Sequence, residues 1–137
     1  MKALLLAAVL MSSAPGLAAS PIEGTWANPQ RSVTVRIAPC GDLLCGRVIS
    51  ASAQATADAA EAGTPRLVGT DLMRDLEPAG EGMWRGDVFV ADRNVHAEGE
   101  FRLTGPRSLE VKGCAFGGLI CKTQAWARVG PAKARRR

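Results

Sequence analysis

Apolar and polar residues alternate along most of this chain, with little sign of a longer period. In "SVTVRI", residues 32–37, Val33, Val35 and Ile37 share one face, while Ser32, Thr34 and Arg36 share the other. In "VHAEGEFRL", residues 95–103, Val95, Ala97, Gly99, Phe101 and Leu103 point one way; His96, Glu98, Glu100 and Arg102 point the other. "SLEVKG" sets Leu109 and Val111 against Glu110 and Lys112. A period of two is the mark of a strand with one buried and one wet face. "EGTWAN", "LLCGRVIS", "PRLVG", "GMWRGDVFVAD" and "CKTQAWARV" read as further strands, and Gly, Pro, Asn and Asp turns separate them. The pattern predicts an all-β domain of about eight short antiparallel strands. Closing them into an up-and-down barrel removes exposed edges, and a β-sandwich of the same strands is the alternative. "ASAQATADAAEAGT", residues 51–64, interrupts the rhythm. Its alanines suit a short helix or a loop equally well.

The two ends differ from this body. Residues 1–18 begin with Lys2, continue with the apolar run Ala3 to Met11, and end in small residues with Gly16 and Ala18 at −3 and −1 of a cleavage site. That layout predicts a secretory signal peptide and a periplasmic protein, and the apolar run is half the length a membrane-spanning helix needs. Residues 19–130 then form one domain, and residues 131–137 a basic tail. The formal charge of +4 resides in the ends: from Ala19 to Gly130 twelve Lys or Arg face thirteen Asp or Glu. A neutral body with no Tyr, three Phe and three Trp excludes the basic, aromatic face of a nucleic-acid binder. The tail, with Lys133, Arg135, Arg136 and Arg137, reads as a solvated disordered end or a weak hold on anionic headgroups.

Four cysteines in an exported domain of this size read as disulfides. Cys40 and Cys45 flank "GDLL", and Cys114 and Cys121 flank "AFGGLI". Each pair brackets a turn between two strands, so local pairing is expected among the three possible connectivities. Zinc is disfavoured, because the second pair exceeds the usual ligand spacing and His96 is the sole histidine. A thioredoxin-like centre would need C-x-x-C.

"GTW" (24–26), "APCGDLLCGRVI" (38–49), "RLVG" (66–69), "MWRGDVF" (83–89) and "LEVKGCAFGGLICKTQAWARV" (109–129) together resemble the domain of unknown function 2147 family of exported bacterial proteins. The resemblance spans nearly the whole body and implies a small lipocalin-like barrel; it implies no catalytic residue. Two segments depart from the family pattern. An alanine-rich stretch stands where an Asn-Pro-Asp-type segment is typical, and "VFVADRNV" lacks the typical Tyr-Asp-Pro turn. By the fold-level parallel with lipocalins, Trp26 of Gly24-Thr25-Trp26 is expected to meet Arg128 of Trp126-Ala127-Arg128 at the closed end. The alternative is a core tryptophan and a solvated arginine.

Chemistry is sparse. His96 falls on the polar face beside Glu98 and Glu100, with no nucleophile in a recognisable order. Asp71, Asp75, Glu77 and Glu81 read as a cluster between two strands, without the pattern of a calcium loop. The expectation is therefore a non-enzymatic protein without cofactor or metal. It would bind a small hydrophobic ligand such as a fatty-acyl chain, against a lining of Val33, Val35, Ile37, Val88, Ala97, Gly99, Phe101, Leu109 and Val111. Ala97 and Gly99 would leave room near the axis. The alternative is an envelope structural or interaction protein whose barrel is filled by its own side chains.

Overall fold

In the computed structural model, which describes residues 20–130, eight antiparallel strands close into a barrel in simple sequence order. They are β1 (Gly24–Ala27), β2 (Val33–Cys40), β3 (Leu43–Ala51), β4 (Asp71–Gly80), β5 (Met83–Val90), β6 (Val95–Gly105), β7 (Ser108–Ala115) and β8 (Ile120–Arg128). Each pairs with its neighbour, and β1 returns to β8 through Trp26↔Arg128 and Ala27↔Ala127. A closed barrel replaces the sandwich alternative. Residues 1–18, read above as a signal peptide, and the basic residues 131–137 lie outside the described residues.

The alternating strands lie where their pattern places them. Val35 and Ile37 on β2, Phe101 on β6, and Leu109 and Val111 on β7 all turn into the core. Phe101 and Leu109 are fully buried, contributing about 2–3 kcal/mol each through the apolar area withdrawn from water. Ile22, Trp26, Leu76 and Trp84 fill the same end of the barrel. The indole N–H of Trp26, buried with its ring, donates to the Ile22 carbonyl at 2.9 Å.

Two segments differ from the sequence reading. "PRLVG" is not a strand; residues 66–69 form part of the connection from β3 to β4, and Leu67 within it is buried. The strand lies just after it, so Asp71, Asp75 and Glu77 are spread along β4 rather than gathered in a loop. The alternation there is broken by a bulge. The register shifts between Arg74 and Glu77, and Asp75 takes a left-handed φ of 53°, a conformation Asp tolerates better than most residues. The extra residue lets Met73 and Leu76, three positions apart, both face inward. A strand whose buried positions are three apart does not look like one.

Residues 51–64 contain the helix α1 (Ala53–Glu61). Ser52 caps it, its Oγ accepting from the Ala55 N–H at 3.0 Å, and Ala59 is its buried contact. The turn between β1 and β2 is held by Asn28, whose Oδ1 accepts from the N–H groups of Ser32 and Val33 at 2.8 and 3.0 Å. Ser52 N–H donates to the Ser32 carbonyl at 2.8 Å, which ties the helix start to that turn.

Candidate functional site: a cavity at one end of the barrel

Up-and-down topology puts the connections after β1, β3, β5 and β7 at one end and those after β2, β4 and β6 at the other. The two ends are built differently.

The lower end is closed. Arg128 lies over the Trp26 ring, its guanidinium carbon 4.3 Å from the ring centroid. Its three nitrogens donate to three carbonyls: Nε to Pro106 at 2.9 Å, Nη1 to Glu23 at 2.8 Å and Nη2 to Pro21 at 2.8 Å. The fork thus ties the segment before β1 to the β6–β7 turn and caps the indole. Partial burial, and to a lesser degree the neighbouring Arg107, push the Arg128 pKa down from its ordinary value. Gly24 makes room for the fork: a Cβ there would sit 2.5 Å from Arg128 Nη1, and its φ of 137° is itself one that side chains rarely adopt. The Cys40–Cys45 disulfide clips the β2–β3 hairpin at this end.

The upper end is hollow. A cavity of about 800 Å³ opens there. Met73, Val88, Val111 and Trp126 lie toward its floor, Val33, Ala97 and Gly113 along its walls, and Ala55, Ala59 and Leu67 over it from the β3–β4 connection. Phe116 and Ile120 of the β7–β8 hairpin stand on the rim. The volume falls within the range of small-molecule sites, and the lining is predominantly apolar.

Of the nine residues expected to line a pocket, Val33, Val88, Ala97 and Val111 do so. Val35, Ile37, Gly99, Phe101 and Leu109 do not; they belong to the packed lower half. Gly99 is the instructive one. A Cβ on it would stand 2.6 Å from Val88 Cγ2 and 2.9 Å from Phe101 Cε1. Its missing side chain is taken up by the Phe101 ring and Val88, so the space it leaves is packing space and not ligand space.

The polar members of the lining were not anticipated. Trp126 is turned into the core, and a period of two carried back from it along "ICKTQAW" puts Gln124, Lys122 and Ile120 on the same inward face. The cavity contains all three. Gln124 Oε1 accepts from the Trp126 indole N–H at 3.2 Å, which leaves its amide N–H groups free for another partner. Lys122 stands opposite Gly113 in register and makes no ion pair among the described residues. Asp58, Asp92 and Arg93 supply charge at the rim.

β8 also explains how the cavity reaches solvent. β1 ends at Ala27, so above Ala127 β8 has β7 on one side only, and every residue from Phe116 to Ala125 is exposed. The barrel wall is lowest there.

His96, Glu98 and Glu100 lie on the outer face of β6 and line no part of the cavity. The His96 ring packs on Phe89 with centroids 4.7 Å apart. Among the described residues no group of three or more His, Cys, Asp or Glu is arranged to hold a metal ion.

Residues 24–128 match the sequence family described as "Uncharacterized protein conserved in bacteria (DUF2147)". The chain belongs to the DUF2147 family. Among solved structures, this DUF2147 barrel is similar to one described as "Protein HP1028 from the human pathogen Helicobacter pylori belongs to the lipocalin family". The TM-score is 0.62 at 14% identity, over 81% of this chain and 84% of that one. At that identity the likeness concerns the fold, which is lipocalin-like. No curated protein matches the sequence. The second disulfide of this DUF2147 protein, Cys114–Cys121, clips the β7–β8 hairpin beside the cavity, and the described cysteines are all paired. Among the described residues no helix is long and apolar enough to cross a membrane.

Proposed function

We propose that this DUF2147 protein is an exported, periplasmic carrier that holds one small hydrophobic molecule in the upper half of its barrel and catalyses no reaction. A fatty-acyl chain is the kind of ligand that suits the site. The observation that carries the reading is the cavity of about 800 Å³ in the upper half of the barrel, apolar in most of its lining. An acyl chain would lie between Ala97, Gly113 and Val111 and end above the Trp126 floor. A polar head would remain near the mouth, where Lys122 and the Gln124 amide offer donors. No cofactor is needed for such a role. Export is supported by two local disulfides, which persist in oxidising compartments, and by the leader-like first eighteen residues. The competing reading, a side-chain-filled barrel working through its outer surface, describes the lower half alone.

Native mass spectrometry of protein purified from its own periplasm tests the proposal. The expected result is a mass increment lost on organic extraction and restored by added fatty acids. A clean ligand-free mass that long-chain fatty acids do not shift would overturn it.

A further inference from the structure

The hairpin "KGCAFGGLIC" is more elaborate than the barrel requires. Its tip carries Phe116, Leu119 and Ile120, which are 69%, 86% and 57% exposed. None of the three belongs to the core. Phe116 moreover holds a left-handed φ of 55°, unfavourable for a bulky side chain, although two glycines that adopt such angles freely follow it at 117 and 118. A turn selected for folding alone would place glycine or asparagine at that position. Backbone cost combined with solvent-exposed apolar side chains points to a role outside the chain's own packing. The Cys114–Cys121 disulfide holds the tip in shape, and β8 stands clear of β1 along its upper half.

We infer that this stapled tip docks on a phospholipid bilayer, with Phe116, Leu119 and Ile120 entering the boundary between headgroups and acyl chains. Three features select a bilayer over a second copy of the chain. The three side chains expose on the order of 400 Å², about half of what each partner in a stable protein interface contributes. The patch sits on the end of a hairpin, a convex shape that a soft surface accommodates and a flat protein face does not. Lys122, the first charge after the apolar tip on β8, lies at the depth of the phosphates when Ile120 is immersed. Glu98, beside Cys114 on the neighbouring strand, and Asp58 and Asp92 across the mouth are the nearest acidic groups. Glu98 lies on the strand side of the Cys114–Cys121 staple, and Asp58 and Asp92 belong to α1 and the β5–β6 connection, so immersing the tip alone leaves all three in water. The docked orientation turns the open side of β8 and the Phe116 side of the cavity rim toward the membrane, yet docking itself does not require that the cavity hold a ligand.

Flotation of the purified protein with phosphatidylethanolamine–phosphatidylglycerol vesicles is the test, comparing wild type with Phe116→Ser/Leu119→Ser, with Leu119→Ser alone, and with a chain ending at Gly130. Wild type and the shortened chain are expected to float. The double variant should lose about tenfold or more in partitioning, and the single variant part of that, as expected for removing inserted apolar groups. An unchanged melting temperature would show that the variants fold. Equal flotation of wild type and the double variant overturns the inference. So does failure of wild type to float, or a concentration-dependent dimer that the tip substitutions abolish. Failure of acyl-chain binding in the mass measurement, with tip-dependent flotation intact, would remove the carrier reading and leave this one standing.

Discussion

Replacing Arg128 should cost this small barrel a large share of its stability without touching its cavity. Three hydrogen bonds to carbonyls are lost together with the indole contact. A partly exposed charge-assisted hydrogen bond contributes about 0.5–1 kcal/mol net, and a partly exposed guanidinium over a buried indole about 1 kcal/mol. Arg128→Ala should therefore lose about 3 kcal/mol, a fall in Tm on the order of 12 °C for a domain of this size. Arg128→Lys retains the charge and one or two donors but not the planar fork, and should lose about 2 kcal/mol. Urea unfolding followed by Trp fluorescence measures both, because Trp26 is the ring being uncovered. A double-mutant cycle with Trp26→Leu should return a coupling of about 1 kcal/mol. A Lys variant as stable as wild type, or an Ala variant within about 0.5 kcal/mol of it, would refute the latch, since an idle surface arginine behaves in that way.

Gly99 and Gly113, side by side in register on β6 and β7, should respond to very different degrees. Gly99→Val is expected to lose about 2–3 kcal/mol in urea unfolding, because the new side chain collides with Val88 and Phe101. Gly113→Leu, whose Cβ would meet only Ala97 Cβ at 3.7 Å, should cost under about 1 kcal/mol and lower acyl-chain uptake by filling the cavity. Removing either disulfide by paired Cys→Ser substitution should cost about 2 kcal/mol for these short loops, read from the urea midpoint, and the native protein should show no thiol to a thiol-reactive dye. Asp75→Gly should leave stability equal or slightly higher, whereas Asp75→Val should lose about 1–2 kcal/mol by thermal unfolding, because position 75 needs a left-handed φ.

Much of the fold can be read from residue order alone. Strands β2, β6 and β7 announce themselves because each has one face in water and one in the core, and a regular ladder converts that into strict alternation. The local cysteine pairs are legible for a similar reason: a hairpin returns its two ends to the same place, so bonding distance follows from the turn. The Trp26–Arg128 contact came into view only through resemblance, since 102 positions separate its members. Strand β4 was hidden because the bulge at Asp75 spaces Met73 and Leu76 as a helix would. The adjoining "RLVG" took its place because Leu67 is buried without belonging to the sheet.

The cavity is where residue order runs out. Alternation says which side chains face inward and nothing about how far along the axis they stand. Val33 and Val35 are equivalent by pattern, yet Val33 lines open space and Val35 is packed. That difference is set by what lies opposite: Phe101 swings into the room Gly99 leaves, Trp84 and Leu76 fill below it, and nothing comparable descends from α1 above. Volume belongs to the contacts among all eight strands and not to any one of them. The chain by itself determined an all-β domain with locally stapled hairpins; that its strands close into a barrel, and which half is solid and which hollow, was decided only when β1 met β8 and the side chains competed for the same interior.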